Sequence, residues 1–270
     1  MAFLYHDREF PMSFEPKRHR GPEYRTGISL IVGLALSACT VPGPGEAVDG
    51  VYDPYEGANR RVHAFNKSVD SALSGGDGPD MAAAIPAPVA TGVANVADTL
   101  SLPQTVMNQL LQARLGSAAR NTLRFGVNAT VGLVGLFDVA AGMGLPEDDS
   151  DFGETLYVWG FPEGAYMELP ILGPSTEREA TGKFVDFFTN PLGQLLDPPE
   201  RYYATGVKVA DKVLDRAKYG DTIDELLYDS ADSYAQLRMI WLQNRRFELG
   251  DESTGGAAYI DPEALDTEGF

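Results

Sequence analysis

The chain is poor in the residues that build metal cages and redox sites. One cysteine, Cys39, stands among 270 residues, and there are three histidines, His6, His19 and His63. A single thiol excludes an intramolecular disulfide and a thiolate metal cage. Basic residues are also short: 21 Lys and Arg face 39 Asp and Glu, a formal net charge of -18. That balance argues against a nucleic-acid binder, which needs clustered cations to neutralise phosphates, and against adhesion to anionic lipid by charge alone. No G-x-S-x-G, HExxH, P-loop or G-x-G-x-x-G is present, so an enzyme is disfavoured. His63, the one histidine base left in a processed chain, is expected to be a packed or exposed residue of the first helix. The apolar run 28–38 is too short for a simple transmembrane helix, and 126–145 is broken by glycines and charged at Asp138.

What is present begins with a processing signal. Residues 28–38 form an 11-residue apolar run, preceded by Lys17, Arg18, Arg20 and Arg25 and closed by Ser37 and Ala38. These are the h-region, n-region and cleavage site of a signal peptide. Leu36-Ser37-Ala38-Cys39 resembles a bacterial lipobox, which implies lipidation of Cys39 and cleavage before it. The competing reading is an ordinary cysteine. Thr40, rather than Asp, implies release to the outer membrane. The long n-region leaves Met1 and Met12 as alternative starts. Removing residues 1–38 takes five of the 21 Lys/Arg and four of the 39 Asp/Glu, leaving 16 against 35.

The expected organisation is a signal peptide over 1–38, a tether over 39–51, one helical domain over 52–249 and an acidic, disordered tail over 250–270. Helices are expected at 53–70, capped by Asp53 with Pro54 in first position, and at 101–125, opened by a Ser101/Gln104 capping box. Further helices are expected at 176–188, at 200–219 ending on Gly220, and at 222–248 opened by Thr222/Glu225. Residues 74–80 read as a loop and 81–99 as a short interrupted helix. The Gly-rich apolar stretch 126–145 reads as a buried core segment, with a place in the membrane interface as the alternative. Residues 146–154 read as a solvated acidic loop, and 155–174 as irregular backbone rich in aromatics. The fold class is mostly α, in one domain.

Four ordered blocks resemble the VacJ/MlaA family of outer-membrane lipoproteins. They are Asp53-Pro54-x-Glu56-x-x-Asn59-Arg60 with Phe65-Asn66 and Asp70; Asn108-Gln109-Leu110-Leu111-Gln112; Arg124-Phe125 with Asn128, Thr130, Gly132, Gly135 and Asp138; and Asp151-Phe152-Gly153-Glu154-Thr155-Leu156 with Trp159-Gly160, followed by Leu169 to Ser175. Glu154 stands where the family has Gln, Ala165 where Pro is common, and residues 71–99 match poorly. The resemblance implies a helical, ring-like protein with Gly/Pro-rich irregular segments, lying in the inner leaflet of the outer membrane. It implies passive passage of mislocalised phospholipid to a periplasmic shuttle protein, association with a trimeric porin, no nucleotide or metal, and no catalysis. Candidate residues are Cys39 for anchoring and Asn128, Asp138, Tyr157, Trp159 and Tyr166 for the channel or interface. The alternative function is a tethered structural lipoprotein without transport.

Overall fold

The computed structural model describes residues 41–43, 47, 50–73 and 85–250. The signal peptide, Cys39, the 74–80 loop and residues 251–270 of the acidic tail lie outside the described residues. Within them the chain is one mostly helical domain. Helix α1 spans Glu56–Leu73. Its first free N–H groups, those of Ala58 and Asn59, reach the Tyr55 carbonyl at 2.8 and 2.9 Å, so Tyr55 and not Asp53 opens it. The Asp53 carboxylate is instead spent on tertiary partners: Asn59 at 2.9 Å, and the Tyr234 hydroxyl and Arg238 guanidinium of the last helix.

Helix α2, Ala87–Leu111, absorbs the expected interrupted helix and the start of the next one. Ser101 and Gln104 do not cap anything. The Ser101 hydroxyl donates to the Ala97 carbonyl at 2.9 Å, and the Gln104 amide reaches Asp186 at 2.5 Å. The expected 101–125 helix is broken at residues 112–114, where Ala113 takes a left-handed φ of 59°. The break is closed by the Arg114 N–H to the Gln109 carbonyl at 2.8 Å. Helix α3 follows over Leu115–Thr130.

Short helix α4 spans Val139–Gly142, and α5 spans Phe152–Val158, where irregular backbone was expected. Asp151 starts α5 by accepting the Glu154 N–H at 2.8 Å. An antiparallel hairpin follows, β1 (Tyr166–Leu169) against β2 (Gly173–Thr176), with Tyr166 opposite Thr176. Helices α6 (Glu177–Thr189), α7 (Pro191–Leu195) and α8 (Glu200–Lys218) come next. Gly220 does not end the chain's helical run. It opens α9 (Gly220–Asp224), which passes into a π turn over Glu225–Asp229. The expected 222–248 helix is therefore two pieces, the second being α10, Ser233–Glu248, capped by Asp232 through the Ala235 N–H at 3.1 Å.

Two small apolar clusters hold the elements. Val51, Tyr166, Tyr234 and Leu242 join the hairpin to α10, and Phe152, Leu156 and Val185 join α5 to α6. The α5–α6 crossing is tight because both helices offer glycine. A Cβ on Gly182 would stand 2.3 Å from the Gly153 nitrogen. His63 is packed, between Ser233 Oγ at 3.0 Å and Glu168 at 3.5 Å. No described helix is long and apolar enough to cross a membrane.

Candidate functional site

The interior of this domain is polar and much of its exterior is not. Among the described residues, twelve hydrophobic side chains are buried against eighteen polar or charged ones. Burying a polar group is costly unless it is bonded, so so many of them must form networks. They do. Where α2 meets α3, Asn121 donates to Gln109 at 3.1 Å and to the Asp148 carbonyl at 2.7 Å. Gln112 reaches Thr155 at 2.9 Å and Ser150 at 2.7 Å. On α6, Asp186 accepts from Asn108 at 3.0 Å and from the Phe152 N–H at 2.9 Å, tying α2 to α5. Arg124, nearly fully buried, reaches Asp138 at 3.0 Å and the Leu145 carbonyl at 2.5 Å.

The apolar side chains are displaced outward. The turn over residues 131–137 leaves α3 with three successive left-handed residues: Leu133, Val134 and Gly135 at φ 52°, 61° and 89°. A β-branched residue there is a backbone outlier. Gly135 is required, since a Cβ would lie 2.6 Å from Thr99 Oγ1. The turn leans on α2, with Asn95 donating to the Leu136 carbonyl at 3.1 Å and the Leu136 side chain lying against Gly92, where a Cβ would stand 2.8 Å from its Cδ1. Leu133 is 63% exposed and Val134 69%. The expectation of a buried core segment at 126–145 is thus corrected: Asn128 and Ala140 are buried, but most of the large apolar side chains are exposed. The end of α6 repeats this pattern, with Phe184, Phe187 and Phe188 all exposed and Phe187 at 79%. Apolar surface of this extent marks a lipid or protein contact.

Between α2 and α8 lies open space. A cavity of about 780 Å³ is lined by Leu100 of α2, the Phe187–Leu196 stretch, and Arg201, Tyr202 and Lys208 of α8. A second, of about 410 Å³, lies further along the same two helices, between Ala87–Ala94 and Asp211–Lys218. Asp98 is the sole charge in the 25 residues of α2. It reaches solvent, yet the surrounding protein, and then Asp211 and Asp149, push its carboxyl up to about 6. Glu147 and Asp149 behave alike: both reach solvent and both are raised, first by desolvation and also by neighbouring carboxylates. Half-buried Lys208 has no ion-pair partner among the described residues, and burial lowers its ammonium below the usual lysine range.

A model of the MlaA lipoprotein family matches residues 51–248. The chain belongs to the MlaA lipoprotein family. The intermembrane phospholipid transport system lipoprotein MlaA of Haemophilus influenzae is 30% identical over 232 residues, covering 83% of this chain and 89% of the relative. That of Escherichia coli is 30% identical over 228 residues, covering 82% and 85%. An uncharacterized protein of Rickettsia conorii is 34% identical over 200 residues, covering 70% and 74%. A solved structure from work on the structural basis for maintenance of bacterial outer membrane lipid asymmetry has 30% identity and a TM-score of 0.59. It covers 73% of this chain, which in turn covers 98% of it.

In this MlaA-family chain the five described candidate residues do not form one cluster. Asn128 and Asp138 do meet: Asn128 donates to Asp138 at 2.9 Å and accepts the Ala140 N–H at 2.9 Å. Burial raises the Asp138 carboxyl, but bonds from Asn128, the Ala141 N–H and Arg124 outweigh it and hold the carboxyl below its ordinary value. This pair staples the exposed 131–137 turn at its base. Tyr157 lies beneath the Arg178 guanidinium at 5.1 Å. Trp159 is 47% exposed, its indole N–H donating to the Leu111 carbonyl at 3.2 Å. Tyr166 is only 1% exposed and donates to Glu168 at 2.7 Å, so the structure places it in the core between the hairpin and α10. Cys39 lies outside the described residues. Asp98, Lys208 and Asp211 were not among the sequence candidates. The signal for Asp98 was there, as a lone charge in a long neutral helix.

Proposed function

We propose that this protein is a passive conduit for phospholipid. It takes mislocalised molecules from the outer leaflet of the outer membrane and hands them to a periplasmic lipid-binding shuttle. The observation that carries the reading is the inversion of polarity, with hydrogen-bonded polar side chains buried inside and large apolar side chains on the surface. A phospholipid has a charged head and apolar tails. Moving an unpaired charge through hydrocarbon costs on the order of tens of kcal/mol by solvation, so a head group needs a wet, polar path. An apolar exterior lets the domain sit among acyl chains although no described helix is long and apolar enough to cross the membrane. The names of the Haemophilus and Escherichia relatives support intermembrane phospholipid transport.

In this reading Cys39 is the lipid anchor, holding the domain at the periplasmic face of the outer membrane. Acyl chains contribute about 0.8 kcal/mol per buried CH₂. Asn128 and Asp138 support the turn that enters the lipid, Trp159 and Tyr157 sit at its margin, and the α2–α8 space carries the head group. A trimeric porin is the expected neighbour and the shuttle is the sink that gives transport its direction. No step needs a nucleotide, a metal or a covalent intermediate.

The test is outer-leaflet phospholipid in a deletion strain carrying wild type or Cys39→Ala. Surface phospholipid should rise on deletion and return to normal with wild type but not with the mutant. An unchanged outer leaflet in the deletion strain, with no second copy of the gene, would sink the conduit and leave a tethered scaffold.

A further inference from the structure

Acids outnumber bases 39 to 21 in this chain, yet the larger cavity between α2 and α8 is lined by two bases and no acid. The bases are Arg201 and Lys208 of α8, and neither makes an ion pair among the described residues. Asp197 and Glu200, the carboxylates nearest to Arg201 in sequence, lie outside the lining and pair with neither base. The smaller cavity differs. It is lined by Asp211 and Asp215 as well as Lys218, and Lys212 lies 3.5 and 3.1 Å from those two carboxylates. The acids of α8 are thus grouped beside a cation of their own, and the larger cavity keeps two cations unmatched.

Seven residues separate Arg201 from Lys208, which is two turns along one face of α8 and about 10 Å of helix. Both have long flexible stems and both open on the same space, so one ligand group can meet the two heads. Burial lowers the Lys208 ammonium with no acid to offset it, and an entering anion supplies that offset. A phosphate ester is suited to the pair, because it keeps its charge at neutral pH and offers oxygens to a guanidinium and an ammonium together. Leu100, Phe187, Leu192 and Leu196 make much of the remaining wall apolar, which a free ion does not use and an amphiphile does.

We propose that the larger cavity is a phosphate-binding site for amphiphiles, with Lys208 and Arg201 as its cations and the apolar lining against the attached chains. The inference rests on the conduit reading for the source of the phosphate, a phospholipid head. It adds that a lipid is held there by its phosphate and not by the group the phosphate carries. Retention therefore rises with phosphate charge: a monoester is held above a diester, and an alcohol in the same place is held least.

The full chain, purified in non-ionic detergent, is incubated with mixed micelles holding equal amounts of phosphatidic acid, phosphatidylglycerol and diacylglycerol with the same acyl chains. Retained lipid is quantified by mass spectrometry. Wild type should retain phosphatidylglycerol over diacylglycerol by about tenfold, with phosphatidic acid above both. Lys208→Ala should bring the tenfold ratio below about threefold and Lys208→Arg should keep it. Arg201→Ala should remove the margin of phosphatidic acid over phosphatidylglycerol. Inorganic phosphate in tenfold excess over lipid should displace less than about half of the bound phosphatidylglycerol, since it brings no chains to the apolar wall. Equal retention of phosphatidylglycerol and diacylglycerol by wild type, or an unchanged ratio in a helical, folded Lys208→Ala, overturns the phosphate site and leaves the conduit standing. Full displacement by inorganic phosphate assigns the site to the free ion and overturns the lipid assignment. Retention of none of the three lipids by wild type removes the conduit together with the site.

Discussion

Asp98 shows what a single residue can and cannot announce. Its carboxyl is raised to about 6 by desolvation, with Asp211, Asp149 and Asp215 adding and Lys212 opposing. Its folded value lies above its unfolded one. Between about pH 4 and 6 the native chain therefore holds a proton that the unfolded chain has lost, and stability falls as pH rises through that window. Asp98→Asn should then be more stable than wild type at pH 7, by about 1 kcal/mol once solvent screening is allowed for, and equal to it near pH 4. Thermal unfolding of both proteins across this range is the check. Glycines divide in the same way. A Cβ on Gly182 would meet backbone at 2.3 Å, whereas one on Gly126 would meet nothing within 4 Å. Gly182→Ala should lose about 2 to 3 kcal/mol by overpacking, and Gly126→Ala should gain about 0.5 kcal/mol from helix propensity, both read by denaturant unfolding. Sequence marks every glycine alike; only the crossing of α5 and α6 separates these two.

Among the elements, α6 and α8 were legible to within one residue of their bounds, α8 from its apolar stripe, although Gly220 does not end it as expected. The breaks at 112–114 and 230–232 were not. Ala113 takes a left-handed conformation that its residue type does not favour, and Arg114 beside it is held by Glu154 at 2.7 Å and Asp148 at 3.0 Å. Asp232 is likewise held by Arg60 across 172 residues of sequence. Partners so distant leave no local trace. The 131–137 turn makes the sharper point, since its composition suits a core and its side chains are exposed. In a Cys39→Ala background, changing Val134 and Phe137 together to Lys should weaken binding to phospholipid vesicles by more than about tenfold, as each buried apolar side chain contributes about 1.5 to 3 kcal/mol. Stability in detergent should move by less than about 1 kcal/mol, because neither side chain is packed in the fold. Vesicle flotation and thermal unfolding together test both statements.

For the whole molecule, the inverted distribution of polarity has a consequence independent of any anchor. A tethered but otherwise soluble domain would become water-soluble on losing its lipid. This chain should not. Purified Cys39→Ala protein should stay monodisperse only above the critical micelle concentration of its detergent and aggregate below it, as size-exclusion chromatography would show. A monodisperse, detergent-free monomer would count against membrane embedding of the 131–137 turn and the α6 end.

The helical class, the family blocks and the acidic balance were settled by sequence, because periodicity, motif spacing and charge are local properties of the chain. Asn128 and Asp138 could be singled out in the same way, ten residues apart in one block. Tyr166 could not be placed: an aromatic in an irregular stretch is equally at home in a core or in an interface, and here the hairpin closes it against α10. Only the tertiary structure decided that the polar faces of α2, α3 and α6 turn inward and that Leu133, Val134 and Phe137 of the 131–137 turn are exposed. The reason is that the hydrophobic effect has no direction. An apolar stretch states that it will leave water, and the arrangement of the other helices determines whether protein or lipid receives it.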